Sequence, residues 1–329
     1  MKLKHYGVEN NLLNWISDFL HDRTQQVVVR GVKSDNAAVK SGVPQETVLG
    51  PLLFLVYIND MPERVKSTLA LFADDSYIHK EIDIPSYVED LQKDIDELVE
   101  WEKEWNMEFH PWKCKMLRIT NKRKIIESNY YIHGEKLENV TEAKYLGVTL
   151  DKSMTWKSHI AKVTTKANNC RIFLQRNLTN SSRETRLLCY VTYVRPIVVE
   201  YAASVWDPIG NATLSKKVEM VQRKAAHWIN NDWKRNSSPS EMLKLLSLNT
   251  LQERRNKAKM KMFYDIINGN KFVSESIIPK RQRCLDVRFK PIRASILSSS
   301  IDIWNKIPRS IVNIDDVKKF KSEIDNLIF

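Results

Sequence analysis

Residues 68–80 read TLALFADDSYIHK, two short apolar runs on either side of Asp74-Asp75. Such a pattern predicts strand, tight turn, strand, with both carboxylates at the tip. Adjacent acids repel one another, and the apolar flank of residues 69–72 (LALF) does nothing to compensate them. A divalent cation resolves that conflict, because Mg²⁺ takes hard oxygen ligands from one or two carboxylates together with substrate phosphates. Two such ions about 3.5–4 Å apart clamp the attacking and leaving oxygens of a phosphoryl transfer. An isolated Asp-Asp pair, however, is more commonly a solvated turn.

Upstream, residues 41–51 (SGVPQETVLGP) are rich in turn formers. Gly42 and Pro44 suit a backbone that passes close to a ligand, and Gln45 carries an amide able to hydrogen-bond a base or sugar. Residues 52–58 are apolar on every side, with Pro51 suited to a first helical turn, which predicts a short, fully buried helix. Residues 10–19 have helical spacing and the β-branched run 25–31 (QQVVVRG) predicts a strand. Downstream, Ser86 and Glu89 have the spacing of a capping box. Val88, Leu91, Ile95, Leu98, Trp101 and Trp105 then continue at steps of three and four, predicting an amphipathic helix with an acidic outer face. Residues 116–120, 130–133 and 143–150 predict strands.

Beyond residue 151 the patterns are almost entirely helical. Ser181 with Glu184 and Thr250 with Glu253 predict two further capped helices, and Pro196 must kink or end the helix that contains it. Gly269 suits a helix stop. The halves also differ in charge: residues 1–150 hold 19 basic and 24 acidic side chains, whereas the whole chain of 329 residues has 52 and 40, for a net charge of +12. The excess of positive charge therefore lies in residues 151–329, the footprint of a region that meets a polyanion. Arg254, Lys257 and Lys261 recur at helical steps on one face, with Lys244 and Lys271 nearby in sequence. Cys114, Cys170, Cys189 and Cys284 are scattered without CxxC or a zinc-finger spacing, consistent with reduced thiols in a cytosolic or nuclear protein. No apolar run of spanning length and no signal sequence is read, so no membrane partner is expected.

Five blocks in order, SGVPQETVLGPLLFLVYIND, FADDS, the helix with its two Trp residues, KCKMLRIT and KYLGVTLD, resemble the reverse transcriptase of non-LTR (LINE-type) retrotransposons. The likeness continues through ETRLLCYVTYVRPIVVEYAASVW, VQRKAAHWI, LQERRNKAKMKMFYDIING and IDIWNKIPRSI, which are similar to the basic C-terminal region of the same elements. The resemblance implies an α+β fold: an incomplete polymerase palm over 1–150, an antiparallel sheet with helices, followed by a mostly helical, basic, thumb-like region over 151–329. It implies RNA-templated DNA synthesis with two Mg²⁺ ions, an RNA template, a DNA primer and deoxynucleotide triphosphates.

Residue by residue, the resemblance makes Asp74 a direct Mg²⁺ ligand and Asp75 the supporting carboxylate. Gly42, Pro44 and Gln45 would line the nucleotide site, Phe72 and Ala73 would form the hairpin wall, and Lys113 would assist the departing pyrophosphate. Arg254, Lys257 and Lys261 would track duplex phosphates. Two departures matter. The family's earlier palm strand, whose aspartate shares the metals, has no match here, since Asp18, Asp22 and Asp35 lie on no apolar strand. Glu46 stands where the family has Gly, a position consistent with close backbone approach or φ > 0. The expectation is a 5′-truncated product, without fingers or endonuclease and inactive as it stands. The alternative is a non-catalytic nucleic-acid-binding remnant. The sequence specifies no oligomeric state.

Overall fold

The computed structural model describes residues 2–208, 210–234, 236–269 and 298–327. Lys271 and Cys284 lie outside the described residues. The chain divides into two compact units, Met1–Val140 and Thr141–Phe329, both mixing helix with short strands.

The first unit opens with α1 (Lys2–His5) and α2 (Asn10–Leu20). Four short strands follow, β1 (Thr24–Gln25), β2 (Val28–Val29), β3 (Val32–Lys33) and β4 (Ala37–Ala38). The β2–β3 hairpin is nested inside the β1–β4 pair. The single strand expected over 25–31 is therefore broken, because Arg30 and Gly31 take φ of 51° and 82° and turn the chain back.

Next comes α3 (Leu49–Ile58). Leu53 and Ile58 are buried, but Leu52 and Leu55 remain 56% and 49% exposed, so this helix is not fully buried as its composition suggested. Its inner face packs with Met61, Leu98 and Trp101, while no described residue covers the outer one.

β5 (Thr68–Phe72) and β6 (Asp75–His79) form an antiparallel hairpin with Phe72 opposite Asp75. α4 (Ser86–Trp105) then turns Leu91, Ile95, Leu98 and Trp101 inward, as its periodicity predicts. Its first turn differs from expectation. Pro85 already holds helical dihedrals and occupies the N-cap, so Ser86 lies within the helix and the capping box does not form. β7 (Lys115–Leu117), β8 (Tyr131–Ile132), β9 (Glu135–Lys136) and β10 (Glu138–Val140) complete the unit, with β8–β9 a hairpin and β7–β10 parallel. Every sheet among the described residues has two strands.

The second unit begins with the hairpin β11 (Glu142–Tyr145) and β12 (Val148–Asp151), turned at Leu146-Gly147. α5 (Lys157–Asn177) and α6 (Arg183–Cys189) follow. The cap of α6 is Ser182 rather than Ser181, its side chain accepting from the Thr185 N–H. Pro196 has no N–H to donate, and the helix widens into π turns at Tyr190–Val194 and Pro196–Glu200 before Tyr201 leaves it. Then come α7 (Ala203–Trp206), α8 (Ala212–Asn230), α9 (Pro239–Leu245) and α10 (Leu251–Ile267), the last capped by Thr250 as expected. α11 (Ser298–Trp304), α12 (Arg309–Val312) and α13 (Val317–Asn326) close the described chain. One core gathers Ile160, Val194, Trp206, Val218 and Ile229 from α5 to α8. Another joins α10 to α11 and α13 through Phe263, Trp304 and Phe320.

Candidate active site

Asp74 occupies the turn between β5 and β6, and Asp75 is the first residue of β6. Both are exposed, and neither carboxylate has a hydrogen-bond or ion-pair partner among the described residues. Ala73 takes φ of 51°, the left-handed conformation that lets a two-residue loop reverse the chain. Phe72, just before it, is 62% exposed.

The hairpin is held from behind by a residue that sequence reading overlooked. The carboxylate of Asp94, buried on α4, accepts from the Lys66 N–H at 3.0 Å and the Ser67 N–H at 2.8 Å, immediately before β5. Burial pushes this carboxyl up, but hydrogen bonds from Ser67 and Lys66 and the charge of Lys80 outweigh it, and its pKa lies below the usual carboxylate range. An acid at an otherwise apolar helical step is the signal that could have found it. Asp94 lies three residues after Leu91 and four before Leu98, on the buried stripe.

The loop 41–46 is positioned by Arg23, a second residue not singled out from sequence. Its guanidinium donates to the Leu20 carbonyl at 3.0 Å through Nε and to the Gly42 carbonyl at 2.6 Å through Nη2. Gly42 has φ of 76°. Pro44 presents its carbonyl to the Thr47 hydroxyl at 2.9 Å, and that hydroxyl accepts from the Gly50 N–H at 3.0 Å. A Cβ on Gly50 would meet the Pro44 carbonyl oxygen at 2.5 Å, so the loop and the start of α3 close together only because Gly50 has no side chain. Gln45 is exposed. Glu46 has φ of 58°, the left-handed conformation in which a glycine is at ease and a glutamate is strained.

Lys113 is exposed and lies in a turn, its N–H donating to the His110 carbonyl at 2.9 Å. It precedes β7 instead of sitting on that strand, because Pro111 and the turn delay pairing until Lys115.

The three thumb-like cations are placed differently from expectation. Arg254 is ion-paired with Glu200. Lys257, buried on α10, donates to the Asp325 carbonyl at 2.6 Å and lies 3.4 Å from Glu253. Lys261 pairs with the Asp325 carboxylate at 2.7 Å. All three are engaged within their own unit, Arg254 by Glu200, Lys257 by Glu253 and the Asp325 carbonyl, and Lys261 by the Asp325 carboxylate. Even deeper, Arg255 and Lys259 share Asp207 at the centre of the unit.

A basic helix without acids is α5, which carries Lys157, Lys162, Lys166, Arg171 and Arg176. Lys162, Lys166, Asn169, Phe173 and Arg176 step by four and three residues along its exposed side, opposite the buried Ile160, Thr164, Ala167 and Arg171. Lys162 pairs with Glu142 at 2.6 Å, and Phe173 is 64% exposed.

Residues 1–150 match the family described as reverse transcriptase (RNA-dependent DNA polymerase). Over these residues the chain resembles reverse transcriptases. It is similar to the RNA-directed DNA polymerase from mobile element jockey of Drosophila melanogaster, 28% identical over 221 residues, covering 64% of this chain and 24% of that protein. The jockey polymerase of Drosophila funebris is 30% identical over 229 residues, 65% of this chain and 24% of its own length. The probable RNA-directed DNA polymerase from transposon BS of Drosophila melanogaster is 29% identical over 238 residues, 67% of this chain and 25% of its length. These stretches exceed 150 residues, so the likeness to LINE-type reverse transcriptases runs on into the helical unit. The chain spans about a quarter of the length of the curated relatives it matches.

Reverse transcriptases use divalent metal ions, and the exposed Asp74–Asp75 oxygens are suitable donors for Mg²⁺. Among the described residues, however, no three His, Cys, Asp or Glu side chains converge to hold one. The described donors are too few to enclose the ion.

Proposed function

We propose that this chain is the palm and thumb-like part of a retroelement polymerase that copies RNA into DNA, and that Asp74 and Asp75 are its metal-side carboxylates. The reading rests most on one observation: two unpaired, exposed acids at the tip of a two-stranded hairpin, within a reverse transcriptase segment. In it, Gly42, Pro44 and Gln45 line the nucleotide pocket, Phe72 and Ala73 shape the hairpin wall, and Lys113 meets the pyrophosphate. Arg23 and Asp94 keep the loop and the hairpin in place, and positioning is most of what phosphoryl-transfer enzymes supply.

For the duplex, the exposed side of α5 is the better candidate than α10. Lys166 and Arg176 have no acidic partner among the described residues, and Phe173 offers a ring between them for a base or sugar.

Primer extension tests the reading. The 329-residue chain alone is expected not to extend an RNA-templated primer, since catalysis needs carboxylates on both sides of the metal pair and the hairpin supplies one. Fusing the part of the jockey polymerase that precedes the matched stretch should restore synthesis. Asp74→Ala in that fusion should then lower it by about 10³-fold or more, as loss of one member of a catalytic unit does. Synthesis in the fusion that survives Asp74→Ala would overturn the assignment of the hairpin. Synthesis by the unfused chain, abolished by Asp74→Ala, would overturn its inactivity and place another acid in the site.

A further inference from the structure

The first unit contains a second, unrelated arrangement at the packing of α1 against α3 and α4. The ammonium of Lys2 lies 3.6 Å from the ring centre of Trp105, 4.9 Å from that of Trp101 and 5.0 Å from that of Tyr57. It donates to Asp60 Oδ1 at 2.7 Å and to the Tyr57 carbonyl, and the Lys2 side chain is 11% exposed. The walls are fixed independently of the lysine. Tyr57 meets both indoles edge to face, at 75° and 82°, and its hydroxyl donates to the Trp105 carbonyl. Trp101 Nε1 donates to Asp60 Oδ1 at 3.1 Å, which aims the carboxylate into the enclosure. Three π faces and one anion around a single charge are how proteins recognise organic cations.

We propose that Tyr57, Asp60, Trp101 and Trp105 form a binding site for a primary alkylammonium group, filled in cis by Lys2. The two acceptors decide the class. A primary ammonium has N–H bonds for both the Asp60 carboxylate and the Tyr57 carbonyl. A quaternary head has none, and it would leave the carbonyl unpaired against a methyl group. The site is therefore selective for a lysine side chain or an alkylamine over choline-like cations. Lys2 acts as a latch: it holds α1 on α3 and α4, and its withdrawal opens a cage whose walls persist.

The test is chemical rescue. In the full chain carrying Lys2→Ala, n-butylammonium should raise the melting temperature and quench tryptophan fluorescence saturably. Tetramethylammonium should bind about tenfold more weakly or less, the loss of one or two charge-assisted hydrogen bonds. The unsubstituted chain should respond to neither, its site being filled, and Trp105→Ala added to Lys2→Ala should abolish the response. Equal response to the two cations would overturn the selectivity, and no response to either would overturn the site. Should Lys2→Ala fail to fold, the unsubstituted chain still decides the matter by NMR. Ring currents should shift the Lys2 ε-methylene protons upfield, and Trp105→Phe should reduce that shift. Lys2 ε protons at the position of a solvated lysine would refute the cage.

Discussion

Asp94→Ala is expected to loosen the candidate hairpin from a distance. The buried carboxylate accepts two backbone N–H bonds, from Lys66 and Ser67, at the point where the chain enters β5. Removing it leaves the buried Ser67 N–H unpaired, which costs about 1–3 kcal/mol, while the Lys66 N–H on an exposed residue can turn to water, so about 1–3 kcal/mol is expected. Asp94→Asn keeps one oxygen acceptor but turns an amide N–H toward a backbone N–H, so it should cost about 1–2 kcal/mol. The effect also has a pH signature. Because the folded-state pKa of Asp94 is lowered, its contribution is fully present above the unfolded value of about 3.9 and is lost as pH falls through the lower folded value. Urea unfolding followed by tryptophan fluorescence, at pH 7 and at successively lower pH, measures both quantities, and hydrogen exchange at the amides of residues 66–72 reports the local part. The variant should lose stability at pH 7 and flatten the acid limb, with faster exchange concentrated at the entry to β5. An Asp94→Ala protein within about 0.5 kcal/mol of the parent at pH 7 would refute the claim that these two bonds hold the hairpin.

Other substitutions separate structural from functional charge. Lys257→Ala should cost about 2–4 kcal/mol, since it strips a buried donor from the Asp325 carbonyl and removes the cation beside Glu253, as thermal unfolding would register. Lys166→Glu with Arg176→Glu should leave the melting temperature within a few degrees but weaken binding to an RNA–DNA duplex and shallow its log–log salt slope by about 2. Glu46→Gly should stabilise by up to about 1 kcal/mol in urea unfolding, because relief of a left-handed glutamate exceeds the entropy glycine adds to the unfolded chain. His159 is buried, and its Nδ1 accepts from the Thr149 N–H at 3.2 Å. Burial, then the charge of Lys162, lowers its pKa, so its contribution is complete above about pH 6.5 and declines as acid protonates the ring. His159→Gln, which retains an acceptor, should remove that part of the slope between pH 7 and 5.

The hairpin, the amphipathic stripe of α4 and the cap of α10 were legible because each depends on residues close in sequence: a turn between two apolar runs, an apolar residue every three or four, a threonine three before a glutamate. The positive φ at position 46 was legible as well, through the mismatch between Glu46 and the glycine expected there. Less could be read wherever the partner is remote. The outer face of α3 looked as apolar as its inner face, and nothing in LLFLVYI says which leucines lack a neighbour.

The cations of α10 show the limit most sharply. Helical spacing correctly placed Arg254, Lys257 and Lys261 along one side of one helix, and the same spacing serves a phosphate track or an ion-paired seam. What distinguishes the two is Asp325, which lies 68 residues beyond Lys257, and Glu200, 54 residues before Arg254. α5 could have been separated from α10 on sequence alone by a different criterion. A basic face meant for a polyanion gains nothing from interleaved acids, and α5 has none in 21 residues, whereas α10 carries Glu253 in its first turn and Asp265 in its last. If α5 meets the duplex as proposed, acid-free runs of cations are the better guide to it than the density of lysine and arginine. By that measure the proposed duplex surface is α5, the first helix after the β11–β12 hairpin and its Tyr-Leu-Gly turn.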